Sequence, residues 1–113
     1  MSKHSDYITI QEILEVISNI ESYLEGRTPE HLRSEKMLKD AILMSLIVIG
    51  ELTKRLSEEI RNQYCDVDWL GIVGIRNRIA HGYFDVDLDL IWTVATTEIP
   101  LLKLSLTKIM ERN

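Results

Sequence analysis

Arg76, Asn77, Arg78, Ile79, Ala80, His81, Gly82 and Tyr83 follow one another in the chain, and they hold most of its chemistry. Arginine carries a planar, permanently charged fork that matches a phosphate. Histidine is the side chain whose unperturbed pKa suits proton transfer near neutral pH. Together they can hold a phosphodiester and move its protons without a metal. The plain alternative is a helix end whose Arg and His serve only solubility.

Helical spacing limits how these groups meet. Asn77 and His81 are four apart and share a face, and Arg78 and His81, three apart, nearly do. Arg76 and His81 are five apart, roughly 140° around a helix at about 100° per residue. They converge if the helix unwinds at His81, if the long arginine reaches across, or if a second subunit supplies one of them. Asn77 is placed to hydrogen-bond the His81 ring.

These residues need elements to position them, and the hydrophobic pattern reads as all-α. The first helix is expected over residues 9–24, with Ile10, Ile13, Leu14, Ile17, Ile20 and Leu24 on one face. Thr9 and Glu12 fit a capping box, and Gly26 ends the helix. Thr28 and Pro29 open a connection with room for one short helix. The second helix is expected over residues 34–62. Its centre, residues 41–49, is apolar around nearly the whole circumference. Such a helix is buried on more than one side. Three other helices cover only part of it, so a homodimer is expected, and Ile42→Glu or Leu46→Glu should give monomer or insoluble protein. The alternative is a fully enclosed central helix. Gly50 suits close packing. Glu51 beside it either pairs with an arginine of the motif or faces solvent.

Asp66 or Asp68 caps a third helix that ends at Ala80 or His81, because Gly82 suits the left-handed position past a helix end. Tyr83, Phe84, Asp85 and Val86 form a loop. The last helix spans residues 87–111, and Pro100 inside it should bend it. The expected architecture is an antiparallel bundle of four main helices plus one short one, a single domain over residues 1–113.

Composition narrows the function classes. The 113 residues are 45% hydrophobic and 27% charged, ordinary for a globular chain. A net charge of −5 argues against a nucleic-acid coat protein, which carries a basic excess, but leaves room for a local phosphate site. The apolar belt is about half of the ~20 residues that cross a bilayer, and residues 1–6 lack a signal-peptide apolar region. A cytoplasmic protein without membrane attachment is expected. The single cysteine, Cys65, excludes an internal disulfide, and Asp66 beside it disfavours a thiolate. Asp85, Asp87 and Asp89 are weak metal ligands, and helix capping explains them better. His4 and His31 stand alone in polar stretches and are expected to be solvated. No metal ligand set and no cofactor pattern is found.

The motif resembles the Arg-x4-His-x-Tyr signature of HEPN-domain proteins, in particular the HepT-like toxins. The likeness extends along the chain through Gly50-Glu51, Asp68-Trp69, Arg76-Asn77, His81-Gly82-Tyr83-Phe84 and Trp92. It implies a dimeric, metal-independent endoribonuclease with two motif copies facing a shared cleft. RNA then supplies the nucleophile, its 2′-hydroxyl. His81 would take that proton or protonate the departing 5′-oxygen. Arg76 would stabilise charge at phosphorus. Asn77 would orient His81 or hold a phosphate oxygen, and Arg78 would be a secondary phosphate contact. Tyr83 is either a buried tyrosine packing under the loop or, as the resemblance implies, the acceptor of adenylyl groups from a cognate MntA-type nucleotidyltransferase antitoxin, which would switch cleavage off. The chain lacks a Gly-Ser followed by Asp-x-Asp and so is not that transferase. The alternative function is a non-catalytic HEPN subunit serving a nucleotidyltransferase as binding partner or nucleotide-binding platform.

Overall fold

The computed structural model describes residues 3–112, with side chains from Ser5 onward. The expectation for His4 falls outside those side chains. Helices α1 (Lys3–Leu24), α2 (Pro29–Ser34), α3 (Lys36–Lys54), α4 (Glu58–Gln63), α5 (Trp69–His81), α6 (Leu88–Thr93) and α7 (Ile99–Glu111) follow in order, with a π-helical turn, Val94–Glu98, joining the last two. No strand occurs among the described residues. Helix α3 is the centre, packed between α1 and α5, and α7 lies against α1. None of these helices is long and apolar enough to cross a membrane.

Helix α1 buries Ile10, Ile13, Ile17 and Ile20 completely or nearly so, the stripe its spacing predicts. It starts six residues earlier than expected, so Thr9 and Glu12 lie inside it and form no cap. Gly26 takes φ +71°, the left-handed turn that frees glycine to end α1. Helix α2 fills the connection behind it. Thr28 Oγ1 accepts from the His31 backbone N–H at 3.4 Å, and His31 Nδ1 accepts from the Thr28 backbone N–H at 3.0 Å. His31 is therefore a half-buried capping residue and not the solvated histidine expected.

The expected second helix is two helices. The backbone breaks at Arg55, Leu56 and Ser57. Ser57 caps α4 through Oγ, accepting from Ile60 N–H, and is itself held by the buried Asp6 carboxylate of α1. Asp6 Oδ1 accepts from the Ser57 backbone N–H at 3.0 Å and Oδ2 from its hydroxyl at 2.6 Å. A contact 51 residues away in sequence thus fixes the break.

Within the apolar belt Ile42, Leu43, Leu46 and Ile49 are buried in the chain's own core. Ile42 and Leu46 are accordingly not surface positions, and a glutamate there would attack the fold, not an interface. Met37 and Met44 are exposed, and Ala41 and Val48 half-buried. These four recur at 37, 41, 44 and 48, a single stripe of α3 that the chain covers only in part.

Pro100 stands at the start of α7, and the π-helical turn comes immediately before it. The Ile99 N–H donates to Val94 C=O across that wider turn. The local widening accommodates a residue that has no N–H and would crowd an α-helical turn.

Candidate active site along α3 and α5

Asp68 starts α5, its Oδ1 accepting from the Gly71 N–H at 3.0 Å. Buried Trp69 anchors the same end, its Nε1 donating to Tyr64 C=O at 3.0 Å. Fully buried Ile79 and half-buried Ile72 and Ile75 turn toward the core. Arg76 shares that side, so its stem must pass between helices. Gly50 provides the space: a Cβ there would lie 2.2 Å from Arg76 Cβ and 2.8 Å from its Cγ. The expected close packing at Gly50 is thus the seat of Arg76.

The Arg76 guanidinium lies against Glu51. Nε and Oε1 approach to 2.5 Å, with the N–H off the line between them, so the contact is Coulombic and not an aligned hydrogen bond. Lys54 Nζ stands 3.5 Å from the same oxygen. Of the two roles open for Glu51, pairing with the motif arginine is the one found. Nη1 of Arg76 donates to Asn77 Oδ1 at 3.0 Å. Asn77 thus steadies Arg76; no hydrogen bond joins it to His81 among the described residues. Nη2 of Arg76 makes no hydrogen bond there either, so one edge of the fork is open to an anion.

His81 is the last residue of α5 and is exposed, as are Asn77 and Arg78. The helix does not unwind before it. The Gly82 N–H still donates to Arg78 C=O at 3.1 Å. Arg76 and His81 therefore keep their separation around the axis, with Arg76 against α3 and His81 at the open end. Gly82 has φ −138°, so the expected left-handed cap is absent. Its C=O accepts from the Asp85 N–H at 3.0 Å, turning the chain at Tyr83.

Tyr83 is half-buried against the core, with Phe84 almost fully exposed beside it. Its hydroxyl donates to Asp40 Oδ1 at 2.7 Å, and Lys36 Nζ donates to Asp40 Oδ2 at 2.9 Å. The hydrogen bond from Tyr83, followed by that from Lys36, holds the Asp40 carboxyl below its ordinary value. The same bond, with partial desolvation, pushes the Tyr83 phenol upward. No sequence pattern singles out Asp40. Its role depends on the approach of a loop 43 residues further along.

Asp87 and Asp89 serve the fold. Asp87 Oδ1 caps α6, accepting from the N–H groups of Asp89 and Leu90, and Asp89 pairs with Arg33 Nη1 at 2.7 Å. Among the described residues, no three His, Cys, Asp or Glu side chains gather in a way that could hold a metal ion.

Comparison with known proteins fits this geometry into a family. A family model described as "Ribonuclease HepT-like" matches residues 13–109. A Methanocaldococcus jannaschii protein named "Gamma-glutamylcyclotransferase and putative RNase" is 38% identical over 104 residues, 92% of this chain. The match spans only 47% of that relative's own length. Another from the same organism, named "Putative RNase", is 31% identical over 98% of this chain and 92% of its own. A Thermococcus cleftensis protein named "Probable ribonuclease HepT" is 28% identical over 88% and 89% respectively. No solved structure matches the chain significantly. With the family model covering most of the sequence, the chain belongs to the ribonuclease HepT-like family.

Proposed function

We propose that the protein is a cytoplasmic, metal-independent endoribonuclease, the toxin of a toxin–antitoxin pair. The observation that carries this reading is the seat of Arg76. A glycine notch and a carboxylate fix its stem and Nε edge, while Nη2 stays open. That is how a phosphate fork is held in place before substrate arrives. The 2′-oxygen of RNA attacks phosphorus, the bond to the 5′-oxygen breaks, and a 2′,3′-cyclic phosphate remains. Arg76 stabilises the charge that gathers on the phosphorus oxygens. His81 removes the 2′-hydroxyl proton or protonates the departing 5′-oxygen. Asn77 holds Arg76, and Arg78 offers a further phosphate contact.

Arg76 and His81 point apart within one chain, which favours a homodimer whose cleft joins Arg76 of one copy to His81 of the other. The partly covered stripe of Met37, Ala41, Met44 and Val48, with both methionines exposed, supports such an interface. Adenylylation of Tyr83 by a cognate nucleotidyltransferase would add a bulky anion two residues from His81 and exclude the RNA phosphate by charge and volume.

The test is cleavage of total RNA by the purified protein, with and without chelator. His81→Ala should lose about 10²–10⁴-fold in rate, the usual contribution of an acid–base group. Arg76→Lys should also fail, because a point charge does not replace the fork. Full activity of His81→Ala, or loss of activity with chelator, refutes the mechanism. Absence of cleavage by the unaltered protein would leave the non-catalytic binding subunit as the reading.

A further inference from the structure

The hydrogen bond between Tyr83 and Asp40 is assigned no step in the proposed cleavage. It joins the proposed modification site to a carboxylate on another helix. Tyr83 Oη is 2.7 Å from Asp40 Oδ1, the distance of a charge-assisted O–H···O⁻ bond. The phenol is half-buried and packed against the core, so its oxygen is presented in one orientation. Asp40 is itself 40% exposed, and Lys36 on the same helix flanks it at 2.9 Å. The hydroxyl, in a part-buried contact beside two solvent-reached side chains, has its proton already directed at a base. The neighbouring Lys36 ammonium is 81% exposed, a cation beside the hydroxyl's acceptor that solvent can reach.

We infer that Asp40 is the catalytic proton acceptor for nucleotidyl transfer to Tyr83, so that this chain supplies its own base for its modification. The inference rests on the reading of Tyr83 as the acceptor. In the step, Tyr83 Oη forms a bond to the α-phosphorus of a nucleoside triphosphate bound by the transferase. The bond from that phosphorus to the bridging oxygen of the β-phosphate breaks, and pyrophosphate leaves. The phenol proton passes to Asp40 Oδ1. An aspartate that accepts the proton of a substrate hydroxyl is the same device that protein kinases use. Asp40 is kept ionised for it by the Tyr83 hydrogen bond and by Lys36, with Lys39 on the same helix adding a smaller effect.

The position has a second consequence. Once esterified, Tyr83 Oη has no proton to donate, and its phosphodiester places a negative charge beside the Asp40 carboxylate. Repulsion then drives the ring from its seat, and with it the turn that follows His81. Transfer is thus assisted by a carboxylate that disfavours return of the modified ring.

The two roles open to Asp40 act on transfer in opposite directions. As a bystander it only raises the phenol's resistance to ionisation, and its removal would leave transfer unchanged or faster. As the base, its removal slows transfer. The experiment incubates the full chain with ATP, Mg²⁺ and a purified nucleotidyltransferase of the Gly-Ser…Asp-x-Asp type, and follows adenylyl mass on the intact protein. Wild type, Asp40→Asn and Tyr83→Phe are compared, with thermal melting to confirm folding. Asp40→Asn keeps a hydrogen-bond partner for the hydroxyl but cannot accept its proton. Its initial rate should fall by about 10²-fold. The ratio of wild-type to Asp40→Asn rates, in which titrations of the transferase cancel, should shrink by about tenfold per pH unit as phenolate forms unaided. A wild-type rate in Asp40→Asn, or a slower rate with a ratio that does not change with pH, overturns the role as base while Tyr83 remains the acceptor. No modification of wild type, or equal modification of Tyr83→Phe, removes Tyr83 as the acceptor and the inference with it.

Discussion

Replacing Gly50 with alanine should destabilise the protein even though alanine is the better helix former. In α3 the exchange gains about 1 kcal/mol of helix propensity. Against this, the new Cβ would stand 2.2 Å from Arg76 Cβ. Ordinary carbon contacts begin near ~3.5 Å, so the helices must part by roughly 1.3 Å at this point. The obstructing atom is rooted on the α5 backbone and cannot swing aside. Overpacking of this sort costs about 1–3 kcal/mol, and a backbone-rooted clash belongs at the upper end. The net loss is then about 1–2 kcal/mol, or about 4–8 °C in Tm for a chain of this size. Displacing Arg76 by roughly 1 Å should also cost about 10²-fold in RNA cleavage. Gly74 is the control, on α5 itself, with nothing within 4 Å of its would-be Cβ. Gly74→Ala should therefore stabilise by up to about 1 kcal/mol. The two variants, unfolded in urea at one protein concentration, should shift in opposite directions. A Gly50→Ala protein as stable as wild type or more so would show that α3 and α5 do not meet through this notch.

Three further outcomes follow from the contacts. Met37→Glu combined with Met44→Glu should give a folded monomer by sedimentation, because both side chains lie outside the chain's own core; a persisting dimer would place the interface elsewhere. Asp6→Ala should cost about 2–3 kcal/mol in urea unfolding, since it strips two hydrogen bonds from Ser57 at the break between α3 and α4; an unchanged midpoint would contradict that. The stability difference between wild type and Tyr83→Phe should be pH-dependent at both extremes. Asp40 has its folded value lowered, so its part is full above the usual 3.8 and lost as pH falls through the lower folded value. Tyr83 has its folded value raised, so its part is full below the usual 10.0 and lost as pH rises through the higher folded value. A difference that is constant across the whole range would refute the tether.

What the sequence made legible was local. The buried stripe of α1, the cap at Asp68 and the turn at Gly26 all follow from spacing and from single-residue chemistry; the end of α5 at His81 lies where expected, but without the left-handed Gly82 that was its reason. The errors arose where a distant partner decides. Ser57 followed by Glu58 and Glu59 is a helix-start signal, a capping hydroxyl with acids in the first turn. The continuous apolar pattern through Leu52 and Leu56 masked it, and only Asp6 of α1 makes the break evident. Thr9 and Glu12 form a valid capping pattern that loses because the chain before them is already helical. At the site, Glu51 could be named as a candidate because it adjoins Gly50 at the end of the belt. Asp40 could not, since a lone acid beside Lys36 and Lys39 reads as ordinary surface charge. The distinction between buried Ile42 and exposed Met44 was likewise invisible in a belt that is apolar all round.

Glu51 and Asp40 lie eleven residues apart on α3, three turns that return to the same face about 16 Å further along. Glu51 meets Arg76 within α5, and Asp40 meets Tyr83 just beyond its end, so the two helices run in opposite directions. One rigid helix thus holds both the arginine assigned to cleavage and the tyrosine assigned to its control. The stripe that offers a partner surface, Met37 to Val48, lies on this same helix between and beside those two contacts. A second copy docked there would stand next to both groups at once. The arrangement explains why a single tyrosine suffices for control under the proposed function. Modification would break the contact at one end of α3, two residues from His81 in the chain, while Gly50 and Glu51 would keep Arg76 seated at the other. Cleavage would then stop without loss of the fold, and removal of the added group would restore it.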